Sequence, residues 1–236
     1  MKAWILTLTL VLGLYAQSGC REQVARLVDL QKRLLSQSLQ RLSPGAWARY
    51  EGGTAVYVGK EKREGTTLYG IDVTLKKVPA QGWFALTPKP FHTPQKTYRV
   101  PTLDPQTLYL RNGNNTMLFK KDQIKAAATL FGVNIGALFS PLPRLMPDQC
   151  ARLPKITPVT YRLGKRVLKA YKITDDKGRY AVLSPEVPFG VVELYDGKKQ
   201  GVFLRDFGQG GKRPAITPAM RQKAIYLPIS IRLSAR

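Results

Sequence analysis

The chain has little of what catalysis and metal binding are usually built from. It holds one histidine, His92, and two cysteines, Cys20 and Cys150, in 236 residues. So few thiols and imidazoles exclude the closed Cys/His zinc patterns, so no metal or cofactor site is expected. Acidic residues are scarce as well, at 15 Asp and Glu against 38 Lys and Arg. Glu186, Glu193, Asp196 and Asp206 fall near one another in sequence, but Glu186 and Asp196 read as turn residues. An acid and base pair for sugar cleavage needs two carboxylates at a defined separation. His92 sits in KPFHTPQK with no acid close in sequence, and only the fold could bring Asp72 or Asp104 to it. A lone loop histidine is a poor general base without such a partner. The glycine run at 208–211, GQGG, lacks the Lys-Ser or Lys-Thr of a phosphate loop and the spacing of a dinucleotide fingerprint, so it reads as a turn. These scarcities point away from an enzyme.

What is present begins at the amino terminus. After Met1-Lys2 the chain is apolar from Ala3 to Ala16 and ends in Gln17-Ser18-Gly19-Cys20. A basic residue, a short apolar core and small residues make a secretory signal peptide, too short and wrongly flanked for a spanning helix. The expected division is a signal at 1–19 and one domain over 20–236, with a seam in the Pro-rich segment 139–158. The expected location is the periplasm or outer membrane of a Gram-negative-type bacterium. Ser18-Gly19-Cys20 resembles the small-small-cysteine end of a lipoprotein signal, in which Cys20 is acylated, although Gln17 stands where that pattern usually has Leu. The alternative is ordinary cleavage after Ala16 or Ser18. An unlipidated Cys20 can instead pair with Cys150, a long-range staple worth about 2–4 kcal/mol. The two fates exclude each other.

The formal charge is +23. On an exported chain this excess meets anionic membrane lipid, lipopolysaccharide or an envelope protein before it meets nucleic acid. Clusters at Lys60 to Arg63, Lys120-Lys121, Arg162 to Arg166 and Lys198-Lys199 are spread along the chain, the pattern of a solvated surface. No nucleic-acid module accompanies them, and any DNA affinity would be non-specific counterion release.

Periodicity supplies the outline. Val24, Leu27, Val28, Leu34, Leu35, Leu39 and Leu42 fall at helical spacing and predict an amphipathic helix over 21–42, stopped by Ser43-Pro44-Gly45. Trp47 to Val58 and Thr66 to Leu75 read as strands. In the second, Tyr69, Ile71, Val73 and Leu75 alternate with Leu68, Gly70, Asp72 and Thr74, which gives one packed and one wet face. The prolines of 79–105 predict short edge strands between long loops. The aromatics Trp83, Phe84, Phe91 and Tyr98, with Trp47, either line an apolar groove or plug a sheet edge. Thr107 to Leu110 and Thr116 to Phe119 return as strands. Ile124, Ala127, Ala128 and Phe131 predict a second short helix behind Asp122. Strands resume at Val159 to Arg162 and Arg166 to Ile173. Then come Tyr180 to Ser184, Val191 to Tyr195 and Val202 to Leu204, with Asp196-Gly197 as a hairpin turn. The tail from Pro214 is either a last strand or mobile.

Two short motifs add a resemblance. Gly45, Trp47 and Tyr50 form one; Pro188, Phe189 and Gly190 with Asp206, Phe207 and Gly208 form the other. Together they resemble exported bacterial proteins and lipoproteins whose curved antiparallel sheet is like that of the periplasmic lipoprotein carriers. The resemblance spans roughly half of the chain. It implies an α+β fold, mainly a curved, half-barrel-like antiparallel sheet whose apolar concave face is closed by helices, and it carries over no catalytic residues. The expectation is a non-enzymatic envelope protein that binds or carries an acyl chain, a lipid or a lipidated partner. The alternative is a structural or interaction component without a ligand cavity.

Overall fold

The computed structural model describes residues 22–75, 78–92, 96–131, 154–197 and 201–226. The signal segment, Cys20, Cys150 and most of the 139–158 seam lie outside them. Residues 22–41 form α1, which is α-helical at both ends and π-helical over Lys32–Gln37. Its apolar stripe, Val24, Leu27, Val28, Leu30, Leu34, Leu35 and Leu39, is buried. Arg26 with Glu22 and Arg33 with Asp29 make i,i+4 pairs on its wet side. Most helical stability in proteins comes from packing of an amphipathic face rather than from propensity. The side chains of this stripe gain about 1.5–3 kcal/mol each on full burial, so packing holds the segment helical.

The strands are β1 (Trp47–Tyr50), β2 (Gly53–Arg63), β3 (Thr66–Leu75), β4 (Val78–His92), β5 (Thr97–Asn112) and β6 (Asn115–Lys120). After α2 (Ile124–Phe131) come β7 (Lys155–Leu163), β8 (Arg166–Thr174), β9 (Tyr180–Leu183), β10 (Val191–Tyr195) and β11 (Gly201–Gly208). The chain then forms α3 (Pro218–Gln222) and β12 (Ile225–Tyr226). Two hairpin meanders, β1 to β6 and β7 to β11, meet where β1 pairs with β11. The result is a single sheet in the order β12-β6-β5-β4-β3-β2-β1-β11-β10-β9-β8-β7. All ladders are antiparallel except that of β12 with β6. β11 serves both meanders: Leu204, Asp206, Phe207 and Gly208 pair with β1, and Gly201 to Phe203 pair with β10.

The sheet is therefore mainly antiparallel and open, with β7 and β12 as edges, rather than the half-barrel suggested by the resemblance. Coiling is local to the β7 end. There Tyr161 of β7 donates to Glu193 of β10 at 2.8 Å, and Arg166 at the start of β8 donates to the Phe207 carbonyl of β11 at 2.8 Å. Each bond spans strands that are not neighbours, so this end folds over itself. Pro158 lies in the β7 edge strand, where the ladder with β8 continues past it and the missing N–H falls on the open side.

α1 lies across the inner face. One core joins its stripe to Ala55, Tyr57, Ile71, Phe84, Leu108, Leu110 and Phe119 of the first meander and to Ile173, Ala181 and Leu183 of the second. The face expected to be a concave apolar cradle is thus filled by packed side chains.

Two expectations are corrected. The Pro-rich 79–105 stretch holds the long hairpin of β4 and β5 in the middle of the sheet order, not short edge strands. β3 pairs only as far as Ala85, and β6 reaches back only to Thr107. Beyond those points the hairpin is a two-stranded ribbon with both sides unpaired. Pro88 faces Pro101 there, and Pro90 follows two residues on. Their missing N–H groups fall where an N–H would point away from the partner strand, so the ladder loses nothing. The ribbon lies on α1, burying Tyr98, Val100 and Leu103, and Gln31 donates to the Pro101 carbonyl at 3.1 Å. The tail is likewise more than one strand. Residues 209–226 run across the outer face of the first meander as a strap, and Ile216 is fully buried there among Leu68, Trp83, Ala85 and Tyr109. Thr217 caps α3, with Pro218 in its first turn.

Candidate functional site: a cleft between the amino-terminal helix and the 184–190 loop

The loop Ser184-Pro185-Glu186-Val187-Pro188-Phe189-Gly190 joins β9 to β10 and is pinned at several points. Ser184 N donates to the Gly190 carbonyl and Gly190 N to the Val187 carbonyl, both at 2.9 Å. The Ser184 hydroxyl donates to the Lys169 carbonyl at 2.7 Å, and Glu186 accepts from Lys169 N at 3.1 Å. Two consecutive residues are left-handed, Phe189 at φ 68° and Gly190 at φ 74°. For a bulky side chain such as Phe189 this is an outlier costing about 1–3 kcal/mol. Burial of Val187 and Phe189 in the core holds it. Gly190 is required on two counts, since a Cβ there would also stand 3.1 Å from the carbonyl oxygen of Leu34. Leu34 lies in the π-helical turn of α1, so the loop and the widened turn touch backbone to backbone. π-Helical turns inside α-helices are frequent at functional sites.

Between these two segments lies a cleft of about 290 Å³. Leu30, Leu34 and Leu42 line it from the helix side, and Pro185, Val187 and Pro188 from the loop. Arg33, Arg41, Tyr171 and Gln209 complete the lining. Arg33 reaches Asp29 at 3.0 Å, while the exposed Arg41 ends the last turn of α1. Apolar walls beside two guanidinium groups suit an apolar moiety that ends in a carboxylate or phosphate. The lining has no Ser, Cys, His, Asp or Glu. Besides the two arginines, its one ionisable side chain is the Tyr171 phenol.

The aromatics named from the sequence do not share one groove. Trp83 and Phe84 are adjacent in β4 and face opposite sides: Phe84 is in the core under α1, and Trp83 is under the strap. Tyr98 packs in the ribbon against α1. Trp47 starts β1 opposite Gly208, with the Lys212 ammonium 5.1 Å from its ring. The Phe91 side chain lies outside the described residues. So do Cys20 and Cys150, and with them the question of lipid or staple. His92 sits at the ribbon end, where its Nδ1 is 2.9 Å from the Thr97 hydroxyl. Neither acid considered as its partner is bonded to it: Asp104 takes Lys121 at 2.6 Å, and Asp72 is buried beneath the strap. The carboxylates near 186–206 also have structural tasks. Glu186 binds the Lys169 backbone, Glu193 binds Tyr161, and Asp206 lies near Arg49 and Arg166. Among the described residues no group of three His, Cys, Asp or Glu side chains could hold a metal ion. No described helix is long and apolar enough to cross a membrane.

Two further polar clusters hold architecture. Asp72 accepts from Gln81 Nε2 at 3.2 Å and from Ile216 N at 3.0 Å, and Gln81 Nε2 also donates to the Ile216 carbonyl at 2.8 Å. Burial pushes the Asp72 carboxyl above its ordinary range, against the pull of the Ile216, Ala215 and Gln81 hydrogen bonds. At the coiled end, burial followed by the bond to Glu193 pushes the Tyr161 phenol up to about 12. Its neighbour Tyr180 stacks on Tyr195 at 5.2 Å.

Arg33, Arg41 and Gln209 had no signal of their own in the sequence. The strands on either side of SPEVPFG and the leucine stripe were legible, but that the loop lies on the stripe is a fact of docking. No protein-family model, curated protein or solved structure matches this chain, so the reading of the cleft rests on its geometry.

Proposed function

We propose that this protein is a non-enzymatic binding protein of the cell envelope. Its ligand is a small anionic amphiphile, seated with its apolar part between Leu30, Leu34 and Val187 and its charged end at Arg33 and Arg41. The carrying observation is the combination, in one cleft, of apolar walls and two arginines, with no Ser, Cys, His, Asp or Glu in the lining. The signal-like amino terminus and the +23 charge support the setting, where anionic amphiphiles are abundant. The cleft volume of about 290 Å³ is near the lower end for ligand sites, roughly 300–1,000 Å³. The packed inner face of the sheet leaves no room there for a long chain. The ligand is therefore a short acyl group, or one end of a longer lipid whose remainder stays outside.

Titration calorimetry with octanoate, octyl phosphate and octanol tests this. The acid and the phosphate should bind and the alcohol much more weakly. The double variant Arg33→Gln/Arg41→Gln should lose at least about tenfold in affinity, since charge-assisted hydrogen bonds contribute about 1.5–3 kcal/mol each. Equal binding of all three, or no effect of the double variant, would sink the headgroup assignment. Absence of binding by any of them leaves the second reading, an interaction protein whose cleft takes a side chain of an envelope partner. The small cleft volume favours that reading over a full lipid cradle.

A further inference from the structure

The far edge of the sheet carries a surface that the cleft does not use. β12 ends the strand order, and its two residues, Ile225 and Tyr226, are 52 % and 44 % exposed. Most large apolar side chains here are buried, so two adjacent ones at an open edge call for an occupant. One ammonium group lies over the tyrosine, and further lysines sit on the neighbouring elements. The Lys120 Nζ lies 5.0 Å from the centre of the Tyr226 ring, and Lys121, Lys125 and Lys223 are exposed on the elements that flank β12. The carboxylates facing them are Asp104, engaged by Lys121 at 2.6 Å, and the exposed Asp122.

We infer that this edge docks on an anionic lipid surface, with Ile225 and Tyr226 entering the boundary between headgroups and acyl chains and the lysines meeting lipid phosphates. Charge complementarity selects the occupant. Lysine is depleted in protein–protein interface cores, whereas an amphipathic tyrosine under a lysine, at an edge with further lysines on the flanking elements, matches the membrane interface. Lysine stems can lie along the apolar side chains while their ammonium groups stay among the phosphates. The chain as a whole is strongly basic, so it would approach any anionic surface; the patch decides which edge arrives and what enters the bilayer. This inference is independent of the cleft, which lies on α1 and the 184–190 loop.

The test is co-sedimentation of the protein with vesicles of phosphatidylcholine alone and of phosphatidylcholine mixed with phosphatidylglycerol, at physiological salt. Binding is expected to the mixed vesicles only. Ile225→Ser/Tyr226→Ser should lower it about tenfold without changing net charge. Lys165→Ser/Lys169→Ser, which removes two exposed charges on the β7–β8 side, should lower it much less than Lys120→Ser/Lys223→Ser. In a Tyr226→Trp variant, lipids brominated in the acyl chain should quench emission beyond the wild-type level. Unchanged binding by the Ile225/Tyr226 variant, equal loss from the two lysine pairs, or no extra quenching would overturn the inference. So would a wild-type protein that ignores all vesicles but self-associates through this edge. Near-ultraviolet dichroism confirms that each variant is folded.

Discussion

Asp72 and Ile216 are 144 residues apart in sequence and joined by a 3.0 Å hydrogen bond from the Ile216 amide to the Asp72 carboxylate. The bond fixes the strap of residues 209–226 across the outer face of β3 and β4. It costs a buried carboxylate, and the same group also accepts a hydrogen bond from Gln81. Gln81 Oε1 has no hydrogen-bond partner among the described residues.

That arrangement sets a pH dependence with a definite sign. Because the folded state raises the Asp72 pKa, the native protein binds more protons than the unfolded chain over the range just above 3.8. The Asp72 contribution to stability is fully present below that value and is lost as the pH rises through the folded pKa. Denaturant titrations of wild type and Asp72→Asn across this range should show the slope in the first and not in the second. The Asn carbonyl can accept from Ile216 and Gln81 without the cost of burying a charge, so Asp72→Asn should be as stable as wild type or more so at neutral pH. Asp72→Ala leaves the Ile216 and Ala215 amides without this acceptor and should lose about 1–3 kcal/mol. A less stable Asn variant at neutral pH would contradict this account.

Ile216 tests the strap from the apolar side. It is fully buried between Trp83 and Tyr109 in a cluster separate from the main core. Ile216→Ala should cost about 2–4 kcal/mol, as large-to-small core changes do. Hydrogen exchange should accelerate in 209–226 before it does in β2 and β3. Uniform acceleration over the whole sheet would show instead that the strap and sheet unfold as one unit.

Gly190→Ala should be severe. The left-handed conformation alone costs about 1–2 kcal/mol with a side chain, and the Leu34 carbonyl would lie 3.1 Å from the new methyl group. Gly113→Ala is the control, since Gly113 has φ 58° but nothing within 4 Å of its Cβ position. The stability difference between the two variants reports the contact with α1. Loss of octanoate binding in Gly190→Ala alone would tie that contact to the cleft, and equal stabilities would show that the loop stands off the helix in solution.

The Tyr161–Glu193 bond closes the coiled end of the sheet and should show in alkaline titration. Tyr161 is pushed to about 12, so over roughly pH 10–12 the native state holds a proton that the unfolded chain releases. Its contribution is complete below about pH 10 and disappears as the pH rises past 12. Ultraviolet titration of Tyr161→Phe should lack one late phenolate, and the variant should be about 1 kcal/mol less stable at neutral pH. A titration curve identical to wild type would remove Tyr161 from the late-ionising set.

The local periods of this chain were legible in its residues. The leucine stripe of 22–41 follows from neighbours in sequence and is realised in a helix, whereas the alternation at 68–74 forecast a strand with one wet face, and on that face Leu68 and Asp72 are buried beneath the strap. The prolines of 79–105 show where such reading stops. Pro88 and Pro101 forbid a ladder bond on one side, but whether that side holds a neighbouring strand depends on how far β3 and β6 extend. The tail was under-read although Thr217-Pro218 is a helix-start signal, because a five-residue helix gains its stability from the sheet beneath it.

The candidate site was less legible for the same reason. Sequence alone determined the basic charge, the signal-like start, the scarcity of catalytic groups and most strands, since these depend on composition or on residues within one element. Tertiary structure decided that Trp83 and Phe84 part to opposite faces, that α1 fills the inner face, and that Arg33 and Arg41 meet Val187 across a cleft. Those outcomes depend on which surfaces exclude water against each other, and burial of that kind is a property of pairs of segments far apart in the chain.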